Sequence, residues 1–428
     1  MRTRNHRRSR YLVALAAGSA AASVSAATPV DPASPDPHTV HCSVIAIDSH
    51  IDVPRDFATP AIDPGKDGKP QLTLPAMQRG CLDAVFFSVA VGQNERSPAH
   101  YQRAWDEARD MIAGVHRMVE QYPQQITLAL TAEDIERAAR EGRHAALIGM
   151  ENGYPLGEDL GRLREAFDLG VRYVTLTHVG HNAIADSSVP IRELGDADAE
   201  HGGLSKFGRT LIAEMNCLGI MVDISHTSKA TTLQAIDASR APVIASHSGV
   251  RAVADTPRNL DDEQLRQIAA RGGVVQVAGY SSYVKPNSPE KDRAIAQIAK
   301  EMRLDGPFGW AQAANALLAD FGDRLEELDS RWPRASVSDY VDHIDHIVAQ
   351  VGIDHVGIGS DFYAGGGAAS GGLAGWMNVS EGEHITGELL RRGYSEQDIA
   401  KVWGGNLLRV MRATEAVARD CPSSRLQN

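Results

Sequence analysis

Residues 219–247, GIMVDISHTSKATTLQAIDASRAPVIASH, constrain the fold most. Two apolar runs, GIMVDISH and APVIASH, each end on a histidine, His226 and His247, and a helix-like segment separates them. A short apolar run that stops on a ligand-type residue reads as a parallel strand buried on both faces, delivering that side chain to one edge of a sheet. The pattern recurs at residues 44–48, at 83–91, at 145–150 ending at Glu151, at 171–177 ending at His178, at 273–278, and at 354–360 ending at Asp361. Helical spacing fills the intervals, notably at residues 100–122, 159–169 and 205–218, the last with Ser205 as N-cap and Gly219 as terminator. Eight strands alternating with helices are what a (β/α)8 TIM barrel requires. A doubly wound open sheet fits less well. No GxGxxG turn follows the first strand, and polar residues are spread over many strand ends rather than gathered at one switch point.

The remaining chain sets boundaries. Residues 1–26 have a basic head with Arg2, Arg4, Arg7, Arg8 and Arg10, an apolar stretch rich in small residues, and a Val24-Ser25-Ala26 terminus. This is the layout of a secretory signal peptide, so export to the periplasm or medium is expected. The apolar stretch is short for a spanning helix, so no stable membrane insertion is expected after cleavage. Residues 27–40 read as a Pro-rich linker, 41–420 as a single (β/α)8 domain with an insertion at about 281–334, and 421–428 as a tail. Aromatic residues Phe308, Trp310, Phe321 and Trp332 in the insertion are suited to a lid, a dimer contact or a satellite core, and the satellite core is the default expectation. Loss of the five leader arginines would move the formal charge from −12 to −17, an unsuitable balance for nucleic acid or an anionic membrane. Cys42, Cys81, Cys217 and Cys421 allow one or two disulfides in an oxidising compartment. Cys217, on a helix-like run, reads most simply as a buried free thiol.

His50-Ile51-Asp52 closes the first strand, and residues two apart in an extended chain face the same side, so both side chains can hold one ion. Glu151, His226 and His247 stand at other strand ends, and histidine with carboxylate is the donor set of zinc and similar divalent ions. Five such ligands exceed what one catalytic zinc takes while keeping an open position, which points to two metal ions sharing a carboxylate, with Glu151 as the bridge. Such a pair activates water against a carbonyl or phosphoryl centre. At the same rim, His178 is suited to stabilising an oxyanion. Asp361 is suited either to moving a proton or to serving as a sixth ligand. Arg258 would clamp a carboxylate through two parallel hydrogen bonds, or form a surface ion pair. The His343-Ile344-Asp345-His346 motif lies on a helical run whose apolar residues Val341, Ile344, Ile347 and Val348 define its buried face, so His343 and His346 are expected to be solvated. His41, His116, His144, His181, His201 and His355 have no partnered strand-end position and receive no role.

With these residues in place, the chain resembles the membrane (renal) dipeptidase family and its bacterial members. The matching stretches are DSHID at 48–52, GMENG at 149–153, LGVRYVTLTH at 169–178, residues 203–228, APVIASHS at 241–248, PRN at 257–259, VGIGSDF at 356–362 and NLLRV at 406–410. The resemblance implies a TIM barrel with two zinc ions that hydrolyses dipeptides, often with a D-residue at the carboxyl-terminal position, and it carries an expectation of a homodimer. By position it implies His50, Asp52 and Glu151 around one zinc, and Glu151, His226 and His247 around the other. His178 and Arg258 would contact substrate, and Asp361 would be catalytic rather than ligating. Two stretches depart from the usual pattern. Tyr363-Ala364 follows Asp361-Phe362 where many members have Asp-Gly, and Asn152-Gly153-Tyr154 follows Glu151 where many have Gly-Gly-His. Both departures bear on side-chain preference. The competing readings are a barrel metallohydrolase acting on another amide, lactone or phosphoester, and a non-catalytic periplasmic binding protein.

Overall fold

The structure is a computed structural model that describes residues 35–305, 315–365 and 371–421. The expected signal peptide, Phe308, Trp310 and all of the tail but Cys421 lie outside the described residues. Its strands are β1 (Ile47–Asp52), β2 (Ala84–Ala90), β3 (Ile126–Leu128), β4 (His144–Glu151), β5 (Val171–Thr175), β6 (Met221–Asp223), β7 (Ile244–Ala245), β8 (Val274–Ala278), β9 (Val356–Gly359) and β10 (Phe362–Tyr363). Every pairing between them is parallel. Their order is β10-β1-β2-β4-β5-β6-β7-β8-β9, with β3 set against β4 off this path. β9 and β10 are one run interrupted at Ser360-Asp361. Pairing of Phe362 with Ile51 and of Tyr363 with Asp52 therefore joins the last strand to the first and closes the curled sheet. The result is the expected TIM barrel of the α/β class.

Alternation along the strands divides the core. Ile47, Phe86, Leu147, Tyr173, Met221, Ile244 and Val274 form an inner cluster, closed by Leu407, Leu408 and Met411 of the C-terminal helix Asn406–Arg419. Residues of opposite parity, such as Val85, Ile148, Val174, Val222 and Val275, belong to the larger cluster beneath the surrounding helices. The amino-terminal end of the barrel is thus filled with apolar side chains, and polar residues gather at the opposite mouth. Among the described residues, no helix is long and apolar enough to cross a membrane.

Helix Lys206–Leu218 follows its sequence signals, since the Ser205 side chain accepts from Gly208 N–H and Gly219 takes a left-handed φ of 82°. Several expectations need correction. The first strand runs over Ile47–Asp52, a few residues later than the apolar run at 44–48, because DSHID pairs with both β2 and β10. Helix Pro37–His41, capped by Asp36, takes up the end of the 27–40 stretch expected to be linker, of which residues 27–34 lie outside the described residues. Cys217 is not a free thiol. It is bonded to Cys421, 204 residues away, where the end of the C-terminal helix meets helix Lys206–Leu218, and Cys42 is bonded to Cys81. In the insertion, Phe321 packs with Ile298, Ala299 and Leu304 apart from the main core.

Candidate metal centre

His226 and His247 are set by a buried carboxylate that sequence reasoning passed over. β6 stops at Asp223, and the chain then turns so that His226 takes a positive φ of 63°. Asp223 Oδ1 accepts from the amides of Ser225 (3.0 Å) and Ser246 (2.8 Å), and Oδ2 accepts from the hydroxyls of Ser246 (2.6 Å) and Thr175 (2.5 Å). Ser225 Oγ in turn accepts from the His247 amide at 3.1 Å. Because the Ser246 hydroxyl donates to Asp223, its contact with His247 Nδ1 (2.8 Å) must be a hydrogen bond donated by the imidazole, which leaves the Nε2 lone pair of His247 bare. That Nε2 lies 2.9 Å from His226 Nε2 and 3.2 Å from Glu151 Oε1, and His226 Nε2 lies 3.1 Å from the same oxygen. Three potential ligand atoms this close, two imidazole nitrogens and a carboxylate oxygen, form a candidate cation site. Donors about 2.0–2.1 Å from a tetrahedral ion would sit roughly 3.3 Å apart, close to these separations.

The other half is built on β1. A register shift between Asp48 and Ile51 marks a bulge that brings His50 and Asp52 to one side. His50 Nδ1 is 2.8 Å from the Tyr173 hydroxyl, and Gly149 leaves the room for that ring, since a Cβ there would lie 2.1 Å from it. His50 Nε2 stands 3.4 Å from Asp52 Oδ1 and 3.7 Å from Glu151 Oε2. Both His50 Nε2 and Asp52 Oδ1 are buried without a hydrogen-bond partner, which fits a metal ligand pair better than a structural one. Glu151 thus turns Oε1 to one histidine pair and Oε2 to His50. Asp361, at φ 60° between β9 and β10, brings a carboxylate oxygen within 4.8 Å of ligand atoms of His50 and Asp52, and its amide donates to His50 O at 3.1 Å.

Burial and charge polarise this ring. Burial resists ionisation of Glu151, yet His178, His50, His226 and His247 around it hold its carboxyl well below the usual range. Burial, together with Arg258 and neighbouring histidines, pushes His226 and His247 well below the ordinary imidazole value, toward the neutral form a metal requires. His50 goes the other way. Burial opposes its charge, but Tyr173, Glu151 and Asp52 raise it well above that value. The neighbours that favour a proton there would equally favour a dication. Burial, reinforced by Asp52 and Glu151, pushes Asp361 up to about 7 against the pull of His50 and Arg258.

At the rim, the half-exposed His178 places Nε2 3.9 Å from Glu151 Oε1. Arg258 is no surface residue: it is 5% exposed, donates to Ser248 Oγ (3.0 Å) and to His247 O, keeps Nε unpartnered, and lies with its guanidinium carbon 4.9 Å from the Tyr283 ring centre. The structure therefore brings all eight expected residues to one mouth. It adds Asp223, Tyr173, Ser246 and Tyr283, of which only Asp223 left a sequence signal, as a carboxylate inside an apolar strand. His343 corrects an expectation. It is fully buried, and His346 is half-buried with Nε2 2.7 Å from Asp262.

Comparison with known proteins identifies the family. A family model described as membrane dipeptidase (peptidase family M19) matches residues 36–425. The chain is 33% identical over 353 residues to Dipeptidase aclJ of Aspergillus oryzae, covering 82% of this chain and 71% of that protein. It is 35% identical to a crystal structure described as the probable dipeptidase PvdM from Pseudomonas aeruginosa, with a TM-score of 0.78 over 89% of this chain and 98% of that one. A metallo peptidase from Rhodobacter sphaeroides, solved with a phosphinate mimic of the dipeptide L-Ala-D-Ala, shares the fold at 24% identity and a TM-score of 0.67, covering 87% and 99% of the two chains.

Proposed function

Since the chain belongs to the membrane dipeptidase family of metallopeptidases, we propose that it is an exported dipeptidase holding two zinc ions, with tolerance for a D-residue at the carboxyl-terminal position. The observation that carries the two-ion reading is the split presentation of Glu151, with Oε1 facing His226 and His247 and Oε2 facing His50. His50, Asp52 and Glu151 would hold one ion, and Glu151, His226 and His247 the other. When bound, the ions supply Lewis acidity that polarises the scissile carbonyl and makes water nucleophilic at neutral pH.

The protein's own residues do the rest. Arg258 holds the free carboxylate of the dipeptide and so fixes the scissile bond over the donor ring. His178 Nε2 donates to the oxygen that becomes negative as the carbonyl carbon turns tetrahedral. Asp361 takes a proton from the attacking water on a carboxylate oxygen and delivers it to the departing amine nitrogen. The expected products are two free amino acids. The test is a panel of L,L and L,D dipeptides with zinc-loaded protein. Cleavage of neither set, by folded protein with its metal in place, would overturn the reading, and cleavage confined to L,L substrates would remove the D-residue claim.

A further inference from the structure

The helix Val337–Val351 carries the His343-x-x-His346 pair that the metal centre does not use. His343 lies between two loops. Its Nδ1 accepts from the Val250 amide at 2.9 Å, and its Nε2 is 2.9 Å from Val284 O. An amide only donates and a carbonyl only accepts, so the ring is held as the neutral tautomer with its proton on Nε2. Val250 opens the loop that carries Arg258, and Val284 ends the short helix Ser281–Val284 that carries Tyr283. A second buried residue ties the same two segments. Asn259 Oδ1 accepts from the Gly249 amide at 3.0 Å, and Nδ2 donates to Ala254 O and Tyr283 O, both at 2.9 Å. Arg258 lies between these ties, over the Tyr283 ring.

We infer that His343 is a positioning residue for substrate carboxylate recognition, acting by locking the Arg258 loop to the Tyr283 segment rather than by touching substrate. Arg258 anchors only two of its nitrogens on the protein, at Ser248 and His247. The directions in which its three other N–H groups point therefore depend on where the loop sits against Tyr283. Bidentate capture of a carboxylate tolerates little misplacement. Removing His343 leaves a buried amide and a buried carbonyl unpaired and loosens the two segments, which Asn259 still ties.

This inference rests on the reading of Arg258 as the carboxylate clamp, and the experiment separates the two. Inhibition constants are measured for a phosphinate mimic of L-Ala-D-Ala and for its carboxyl methyl ester, with wild-type, Arg258→Met, His343→Leu and His343→Asn proteins of verified metal content. Wild-type protein should prefer the free acid, and Arg258→Met should abolish that preference. His343→Leu should cut it roughly ten-fold while ester affinity and metal content stay unchanged. His343→Asn, whose Oδ1 can replace Nδ1 as the acceptor for Val250, should recover part of the preference and also serves if the leucine variant does not fold. Full preference in both His343 variants, with loss in Arg258→Met, overturns the positioning role alone. Retained preference in Arg258→Met overturns the clamp itself.

Discussion

The two halves of the donor ring are built differently. Around His226 and His247 the nitrogens and Glu151 Oε1 lie 2.9–3.2 Å apart, and a buried scaffold of Asp223, Ser225 and Ser246 fixes the backbone and the tautomer of His247. Around His50 and Asp52 the separations are 3.4 and 3.7 Å, two ligand atoms have no hydrogen-bond partner, and orientation rests on the Tyr173 hydroxyl. Both are barrel strand ends, so the fold alone does not explain the contrast. On the proposed two-ion reading, hydrogen bonds would preorganise the first half for an ion, whereas an ion would complete the second, with Asp361 beside it. Preorganised supports of this kind are what hold a metal ligand to its tautomer and direction.

The largest effect should come from the residue common to both halves. Glu151→Gln should lower the content of both ions and reduce kcat/KM on the order of 10⁴-fold or more, read by metal analysis and kinetics together. Retention of full metal content would separate the halves. Next, Asp361→Asn should cost roughly 10²–10⁴-fold in kcat with metal content intact, and loss of one ion instead would make Asp361 a ligand of the second half. A smaller change should follow removal of the supports. Ser246→Ala should weaken one ion about 10–100-fold in a chelator titration and leave the other in place, and Tyr173→Phe should act on the opposite ion. Equal effects of both substitutions on both ions would abolish the distinction.

The smallest effect concerns protons in metal-free protein. His226 and His247 are depressed below the ordinary imidazole value, so the stability they contribute is present above about pH 6.5 and is lost as pH falls through their folded values. His50 is raised, so its contribution is complete below about pH 6.5 and is lost as pH rises through its folded value. Nitrogen-detected NMR of the imidazoles at about pH 7 should therefore show His50 as the cation and the other two as neutral. Three imidazoles titrating together would contradict the contrast.

How far this was legible in the sequence follows from the kind of interaction involved. His50, Glu151, His178, His226 and Asp361 each end an apolar run, and strand parity alone sends such residues to the barrel mouth. The supports do not announce themselves. Tyr173 and Ser246 lie within ordinary strand-like text, and their roles depend on a glycine and a carboxylate in neighbouring strands. The helical stripe of Val341, Ile344 and Ile347 correctly marked a buried face of Val337–Val351, but that face is wider than the stripe. Loops from residues 250 and 284 cover its edge and bury His343. Cys217 escaped for a related reason, since its partner is brought by the packing of two helices far apart in sequence. The closing strand was read as ending at Asp361, and only the pairing of β10 with β1 shows that the residue interrupts a strand rather than ending one.

The central claim is that Glu151 joins two unlike halves, and anomalous diffraction at the zinc edge from zinc-loaded crystals tests it most directly. The account predicts two peaks flanking the Glu151 carboxylate, one contacted by Oε1, His226 and His247 and the other by Oε2, His50 and Asp52. A single peak, or two peaks of which Glu151 contacts only one, would contradict it.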